Sequence, residues 1–599
     1  MGAIFYSTDA QTFARLKAVH GRSELSVTDV TLGGVTFGFA RANAGEDRQH
    51  VHALPQGGVL CSGLMLYDGT SGVEALSKFY RDFVTDTVSG TLSGGFTAAV
   101  VHDGKVSWIT DPAGVSEVYV HADESSVSCA NVLYFLASSV PALSLNEFGL
   151  IEKSFQYSTL GHDTLFTEIL RVSALETLSI DPSAPRPVSA RDVKLLRVTR
   201  PASTDSSPAA LVAMLVEEYQ QLDRIVSGFD INMTGGLDSR LQLALMLAAG
   251  IAREKIRLVH GVGSSLVTNT KAADRAIVAA VADRFGIEAV FRDWSDTDLS
   301  PNEWQRALDL AGEAGMVYGG NPRILRDYLE ASRQGRFQVF GYFGELLRPL
   351  DWQVASNFAT LDVSQFVGYY LYSNFNGFDP RYAGKFRAWM EEKVLGILGG
   401  DRSVTPEIVH DLFVRYRQSA DTVMCRLCLL YGASYPSLGS NQFLRALATI
   451  STERKMYSSL MIEMIDLTAP ELLEVDIFSH GAVYRYERTA RKISHDVGPV
   501  EQVRRALSVF LYRFPRARHA IRAQYLRIFA SSLGRRDDLA VERRLKAIAV
   551  DAQRDAATQL LNVEQFSGNH ASLVGYAQYV RMVASSRERF SQMQSRQES

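Results

Sequence analysis

The chain has 599 residues, too many for one ordinary hydrophobic core, and the usual size of domains predicts two to four of them rather than a small binding module. Apolar and aromatic residues make up 46% of it and charged residues 21%, which supplies cores to bury and excludes wholesale disorder. A formal charge of −4 argues against a polyanion-binding surface spread over the molecule, leaving at most a local basic patch.

Four cysteines, Cys61, Cys129, Cys425 and Cys428, are too few for a disulfide framework in a chain of this length. A reducing compartment, by default the cytoplasm, is therefore expected. The opening MGAIFYSTDAQTF lacks a basic segment followed by an apolar one, so no signal peptide is expected, and Tyr6 stands where a myristoylation signal carries a small hydroxyl residue. The absence of a long uninterrupted apolar window predicts no spanning helix.

In chain order, short apolar runs come first: residues 33–39, 57–67, 96–101 and 106–110, with HDGK predicting a hairpin turn between the last two. Residues 175–180 continue this β-rich texture into a proline-rich joint, DPSAPRP, which predicts a boundary within 181–205. Strands and helices then alternate: a strand over 229–233, a helix over 237–249, a strand over 256–260, a helix over 270–285 and a strand at 289–291. That alternation predicts βαβ units around a parallel sheet. Residues 300–480 read as mostly helical, with one further strand at 337–340. The tail 496–599 interleaves arginines such as Arg504, Arg513 and Arg522 with apolar residues and reads as a packed basic helical extension.

Asn232 to Arg240, NMTGGLDSR, follows directly on one strand and opens a helix. Thr234-Gly235-Gly236 allows backbone N–H groups to turn inward, and the positive end of the helix starting at Leu237 meets the same point, which suits a pyrophosphate. No Gly-Lys-Ser/Thr follows, excluding a Walker A loop, and the third glycine of a dinucleotide fingerprint is absent. Asp238 and Ser239 suit a Mg²⁺-binding carboxylate and a phosphate-binding hydroxyl.

The string TGGLDS resembles the Ser-Gly-Gly-x-Asp-Ser pyrophosphate loop of the ATP pyrophosphatases, with Thr234 keeping the hydroxyl of the first serine. Gly341-Tyr342-Phe343-Gly344-Glu345 resembles the Gly-x-Gly-Ser-Asp-Glu loop of asparagine synthetases and the Gly-Tyr-Gly-Ser-Asp loop of β-lactam synthetases. Asp274 fits the family's Asp-x-x-Ala helix, residues 434–443 its Arg-x-Pro-Phe-Leu-Asp segment, and Lys455-Met456 the Lys-Met beyond it. Residues 92–119 resemble the glutaminase hairpin of the same family, and Thr164-Leu165-Phe166 with 175–180 that domain's closing strand.

The resemblance implies three regions: an Ntn-type αββα sandwich over 1–200, an ATP-pyrophosphatase α/β domain with a parallel sheet and many helices over 205–495, and the helical extension over 496–599. It implies ATP and Mg²⁺ as cofactors, with Thr234, Gly235, Gly236, Leu237, Asp238, Ser239, Val259 and Gly341 contacting nucleotide. Asp238 and Glu345 would be the metal carboxylates, with Tyr342 and Glu345 catalytic. Without the family, a Gly-rich turn bearing one Glu reads as a helix N-terminus with a first-turn acid. His260, at the end of the second strand, lies near the adenine or takes a surface or capping role.

Departures from the family are equally informative. Its glutaminase nucleophile is a cysteine at the position of Gly2, its glutamine-binding segment is reduced to residues 63–67, and Thr110 replaces an arginine before Asp111. Cys61 and Cys129 read as buried hydrophobes, and Cys425-x-x-Cys428, with no second pair, does not read as zinc-binding. The first domain is thus expected to be a structural relic. The family's late lysine is absent from 477–484, leaving Lys455, Arg485 and Arg488 as substitutes. The expected reaction is adenylation of a carboxylate and its coupling to an amine, as in β-lactam synthetases and lasso-peptide cyclases. The alternatives are an amidotransferase fed with free ammonia or by a partner glutaminase, and a non-catalytic relative. Expected partners are a small-molecule or peptide carboxylate, or a precursor peptide or biosynthetic protein, with no nucleic acid.

Overall fold

The computed structural model describes residues 2–21, 25–41, 49–140, 143–144, 146–156, 158–199, 205–262, 272–293, 334–350, 360–372, 380–418, 422–431, 434–479, 482–487 and 492–494, with Ser300, Asp327 and Glu330 singly. Arg488 and the basic tail 496–599 lie outside the described residues.

Among the described residues the first body contains thirteen strands: β1 (Ala3–Ser7), β2 (Ser26–Leu32), β3 (Val35–Arg41), β4 (Val51–Leu54), β5 (Gly57–Tyr67), β6 (Thr70–Ser71), β7 (Ser93–His102), β8 (Lys105–Thr110), β9 (Val118–Ala122), β10 (Val127–Ala130), β11 (Ile169–Val172), β12 (Glu176–Ile180) and β13 (Lys194–Leu195). They form two antiparallel sheets, in the orders β11-β9-β10-β1-β3-β2 and β13-β12-β8-β7-β5-β4, with β6 on β5. Helices α1 (Ala10–His20) and α3 (Leu133–Ala137) cover the outer face of the first sheet, and α2 (Gly72–Val84) covers that of the second.

Because strand side chains alternate between faces, one strand feeds two cores. Ile4 and Tyr6 of β1 join Phe37, Leu60, Val101 and Trp108 between the sheets, while Phe5 packs outward with Leu16 and Leu136. On the second sheet, Val59 and Phe96 face Leu76 and Phe79 of α2. Strands buried on both faces read as unbroken apolar runs, which is why the sequence shows runs rather than alternation.

The expected hairpin is β7–β8, turned at Asp103 and Gly104, both with positive φ. Two expectations need correction. The run at 33–39 begins with a turn, Gly33-Gly34, that joins β3 to the unexpected β2. Thr164 to Phe166 forms no strand beyond a bridge at Phe166, whereas the expected strand at 175–180 is present as β12, with β11 between the two.

Helix α4 (Glu147–Gln156) precedes the last strands of this body. The second body opens with α5 (Pro208–Asp223), started by the Ser207 side chain, which accepts from Ala210 N, and by proline in the first turn. Strands β14 (Gly228–Asn232), β15 (Ile256–Val262), β16 (Glu288–Asp293) and β17 (Arg336–Val339) form a wholly parallel sheet in the order β16-β15-β14-β17. Helices α6 (Leu237–Ala248) and α7 (Ala272–Phe285) make the connections β14 to β15 and β15 to β16. Ser434 bridges Gln338 in parallel, extending the sheet past β17. Strand order reverses direction between β14 and β17. In open parallel sheets this switch point leaves a crevice at the carboxyl ends of the strands.

The described residues of 300–480 are mostly helical, as expected, and short strand pairs add to them within and just beyond that span. Leu361–Asp362 pairs with Ser403–Val404, and Ile477–Ser479, Ala482–Glu487 and Lys492–Ser494 form a three-stranded ribbon.

The two bodies meet through buried charges. Glu117 pairs with Arg171 at 3.0 Å within the first body and with Arg426 of the second at 3.4 Å. Glu176 receives Arg415 at 2.8 Å, and Glu152 receives Lys393 at 2.7 Å. Asn441 reaches across to the Leu92 and Gly90 carbonyls through its backbone N and its side chain.

Candidate active site at the switch point

The loop after β14 is shaped by its own side chains and by two neighbours. Ser239 Oγ accepts from Thr234 N at 3.1 Å, and Thr234 Oγ1 accepts from Gly236 N at 3.2 Å. Asp274, in the first turn of α7, accepts from Gly235 N at 2.7 Å. Phe478 N donates to Gly235 O at 2.8 Å. Gly235 is required by this crowding, since a Cβ there would lie 2.6 Å from Phe478 Cβ and 2.8 Å from Asp274 Oδ1.

Arg240 clamps the same loop from beneath. It is fully buried in α6, and its guanidinium donates to the Leu472, Val475, Asp476 and Gly235 carbonyls. The segment 472–478, which leads into the region where the family resemblance expects a lysine, is thereby docked onto the glycine loop. Helix α6 begins at Gly236 without a side-chain cap, so its first N–H groups and the positive end of its dipole face the crevice.

The loop after β17 packs onto this helix start. Phe343 takes a left-handed conformation, φ 70°, ahead of the 3-10 turn Gly344–Leu347. A Cβ on Gly344 would sit 2.3 Å from Asp238 Oδ1, so glycine is what lets the second loop lie against Asp238. Tyr342 is half-buried and stacks on Phe340, with ring centroids 5.1 Å apart.

Both carboxylates already have partners. Asp238 accepts from Arg348 through both oxygens, at 3.0 and 2.9 Å, with each side chain about a third exposed (31% and 34%). Desolvation under the loop raises the Asp238 pKa, and the Arg348 guanidinium opposes that shift. Glu345 Oε1 accepts from Gln418 Nε2 at 2.6 Å, and Gln418 is fully buried directly after a π turn at Phe413–Arg417.

Of the proposed lysine substitutes, Lys455 is buried and its pKa is lowered to about 8 by desolvation. Its charge is felt by His410 and does not figure among the causes of the Asp238 shift. Arg485 is mostly exposed and pairs with Asp476. The cation that meets Asp238 is Arg348.

Val259 is buried, and its carbonyl accepts from Met233 N at 2.9 Å, joining β15 to the start of the loop. His260 is interior rather than at the surface, 2% exposed, with Nδ1 donating to Met233 O at 2.8 Å. All four cysteines are buried. Among the described residues no cluster of three or more His, Cys, Asp or Glu could hold a metal, and no helix is long and apolar enough to cross a membrane.

The donor set nevertheless fits Mg²⁺ carried with phosphates. That ion needs only one or two protein carboxylates, the rest of its shell coming from water and phosphate oxygens. Asp238, in the first turn of α6, and Glu345, in the 3-10 turn after β17, lie on the two segments that pack together there, and the uncapped helix start suits the anion.

The local run TGGLDSR showed the loop but not its clamps. Arg240 carried a signal, being the lone cation in an otherwise apolar helical stretch. Arg348 and Gln418 carried none, because each finds its carboxylate only through tertiary structure.

No family model matches the sequence, and no curated protein matches it. Among solved structures, the glutamine-dependent NAD+ synthetase from Acinetobacter baumannii in complex with ADP is similar at 15% identity and a TM-score of 0.19, over 35% of this chain and 43% of that one. The chain therefore spans less than half the length of that synthetase. The glutamine PRPP amidotransferase from B. subtilis, complexed with ADP and GMP, is similar at 11% identity and a TM-score of 0.24, over 57% of this chain and 81% of that one. At such scores the alignments carry no argument about architecture or activity, and the case for this site rests on its own geometry.

Proposed function

We propose that the chain is an ATP-dependent, AMP-forming amide synthetase, which adenylates a carboxylate and couples it to an amine. The observation that carries this reading is the pair of loops, TGGLDS after β14 and GYFGE after β17, on either side of one switch point in a parallel sheet. In the first step the substrate carboxylate attacks the α-phosphorus and the bond to the β-phosphate breaks, releasing pyrophosphate. In the second the amine attacks the activated carbonyl, the amide forms, AMP leaves with the bonding electrons, and the amine gives up a proton.

The backbone donors at the start of α6 hold the pyrophosphate, and Thr234 and Ser239 fix the shape of the loop that presents them. Mg²⁺ bound between Asp238 and Glu345 would offset charge on the leaving group. Arg348 moves from Asp238 toward the phosphates as they arrive and supplies the cation that the family resemblance assigns to a lysine. Tyr342 orients the amine and takes part in its deprotonation.

The amine belongs to the substrate itself or to a second molecule, in line with intramolecular closure of a peptide or amino-acid-derived substrate. Two features of the first body support that choice over an in-built ammonia supply. A Cβ at Gly2 would lie 2.0 Å from Ala40 O and 2.9 Å from Arg41 Cγ, so no side chain fits where the family resemblance expects a nucleophile. Cys61 is buried, and desolvation pushes its thiol up to about 12, far from a reactive thiolate.

The test is release of AMP and pyrophosphate from ATP in the presence of a panel of carboxylates, amino acids and linear peptides. AMP formed with at least one member, and lost in Asp238→Ala, is expected. Absence of AMP across the panel, or release that survives Asp238→Ala, overturns the reading.

A further inference from the structure

Gln418 is wholly buried, yet only one end of its amide is used. A carboxylate oxygen accepts and cannot donate, so the contact at 2.6 Å turns Nε2 toward Glu345 Oε1. The amide oxygen then points away, and it is buried with no hydrogen-bond partner among the described residues. An unpaired buried acceptor lowers a folding equilibrium by about tenfold. An apolar side chain of the same length would serve the scaffold without that loss, so the glutamine calls for another explanation.

The backbone that aims this amide is irregular at the same place. The helix Pro406–Leu412 runs into the π turn Phe413–Arg417, which Gln418 closes by donating its backbone N–H to Phe413 O. A π turn holds one residue more than an α turn, and it sets every later side chain back by about 100° around the axis. The first body grips that turn at Arg415, by backbone and by side chain. Ser173 Oγ donates to Arg415 O at 2.7 Å, and Glu176 accepts from the Arg415 guanidinium at 2.8 Å. Ser173 directly follows β11, and Glu176 opens β12.

We propose that the first body positions Glu345: Ser173 and Glu176 fix the π turn, the turn fixes Gln418, and the Gln418 amide sets the carboxylate assigned above to Mg²⁺. The inference rests on the nucleotide reading. Gln418 acts through Glu345 and is a positioning residue. The first body, whose Gly2 leaves no room for a nucleophile, thereby takes part in the site of the second.

The test is calorimetric titration of ATP at stepped Mg²⁺ concentrations, with thermal melting of each variant. Gln418→Met keeps the length of the side chain and removes the donor. The Mg²⁺ concentration that gives half-maximal enhancement of ATP binding is expected to rise about tenfold, while the melting temperature stays level or rises. In a Glu345→Ala background the same substitution should change nothing further. Ser173→Ala removes one grip on the π turn and leaves Glu176 in place. It should raise the Mg²⁺ requirement about threefold and add nothing to Gln418→Met. An unchanged Mg²⁺ requirement in folded Gln418→Met overturns the inference, as does an effect of that substitution that persists in full without the Glu345 carboxylate. An unaltered Mg²⁺ requirement in Ser173→Ala, whatever its melting temperature, leaves the first body a scaffold only and also overturns it. If wild-type protein binds no ATP with Mg²⁺, the nucleotide reading falls and this inference with it. If it binds ATP and the variants match it, only the positioning role falls.

Discussion

At the scale of single residues, the site is governed by how its charges are partnered. Asp238 shares both oxygens with Arg348, and because each side chain is about a third exposed, the pair adds little to stability. Arg348→Ala is therefore expected to shift the free energy of unfolding by less than about 1 kcal/mol while weakening ATP binding about tenfold. Denaturant unfolding and calorimetric titration of the same variant separate the two effects, and a large loss of stability with unchanged ATP affinity would assign Arg348 to the scaffold. These partnerships explain what was and was not legible in the sequence. Thr234 to Ser239 lie within six consecutive positions, so their pattern survives in one dimension. Asp238 with Arg348, and Glu345 with Gln418, join residues 110 and 73 positions apart, and no local pattern marks such pairs.

Among the elements, the start of α6 is the feature on which the site depends, because two other segments and a side chain of α6 itself converge on it. Asp274 of α7, Phe478 of the late ribbon and Arg240 of α6 each bond to Gly235. Gly235→Ala must displace at least one of them, since its Cβ would come within 2.6 Å of Phe478 Cβ. The variant is expected to lose about 1–3 kcal/mol of stability and to lose ATP binding in direct titration. The β-α-β-α-β order was readable because each element carries its own periodicity and turn residues. The late ribbon was not, since Ile477–Ser479 is too short to show a period and is held through its contact with the glycine loop.

For the whole molecule, the buried charges between the two bodies tie them into one unit and make stability pH-dependent. Glu176 is 1% exposed and is held by His162, Arg415 and Ser173 N. Despite the cost of burial, the hydrogen bond and charge of His162 and the charge of Arg415 bring its pKa down to about 2. A carboxylate with a depressed folded-state pKa contributes stability that is present above the unfolded value near 4.5 and is lost as pH falls toward 2. Glu176→Gln is thus expected to cost about 3 kcal/mol at pH 7 and to narrow its gap from wild-type protein at pH 3. Unfolding curves at the two pH values check this, and a gap independent of pH would assign the loss to packing instead. The four-layer first body was only partly readable, because strands buried on both faces show no alternation. Its charged seam with the second body joins Glu176 to Arg415, 239 residues later, and lies beyond any sequence period.

The proposed function requires a nucleotide to bind between the loops after β14 and β17. Amide hydrogen exchange with and without ATP and Mg²⁺ tests it most directly. Slowed exchange in residues 234–240 and 341–348, abolished by Asp238→Ala, is the predicted result. Exchange unchanged in both loops, or slowed only elsewhere in the chain, would contradict it.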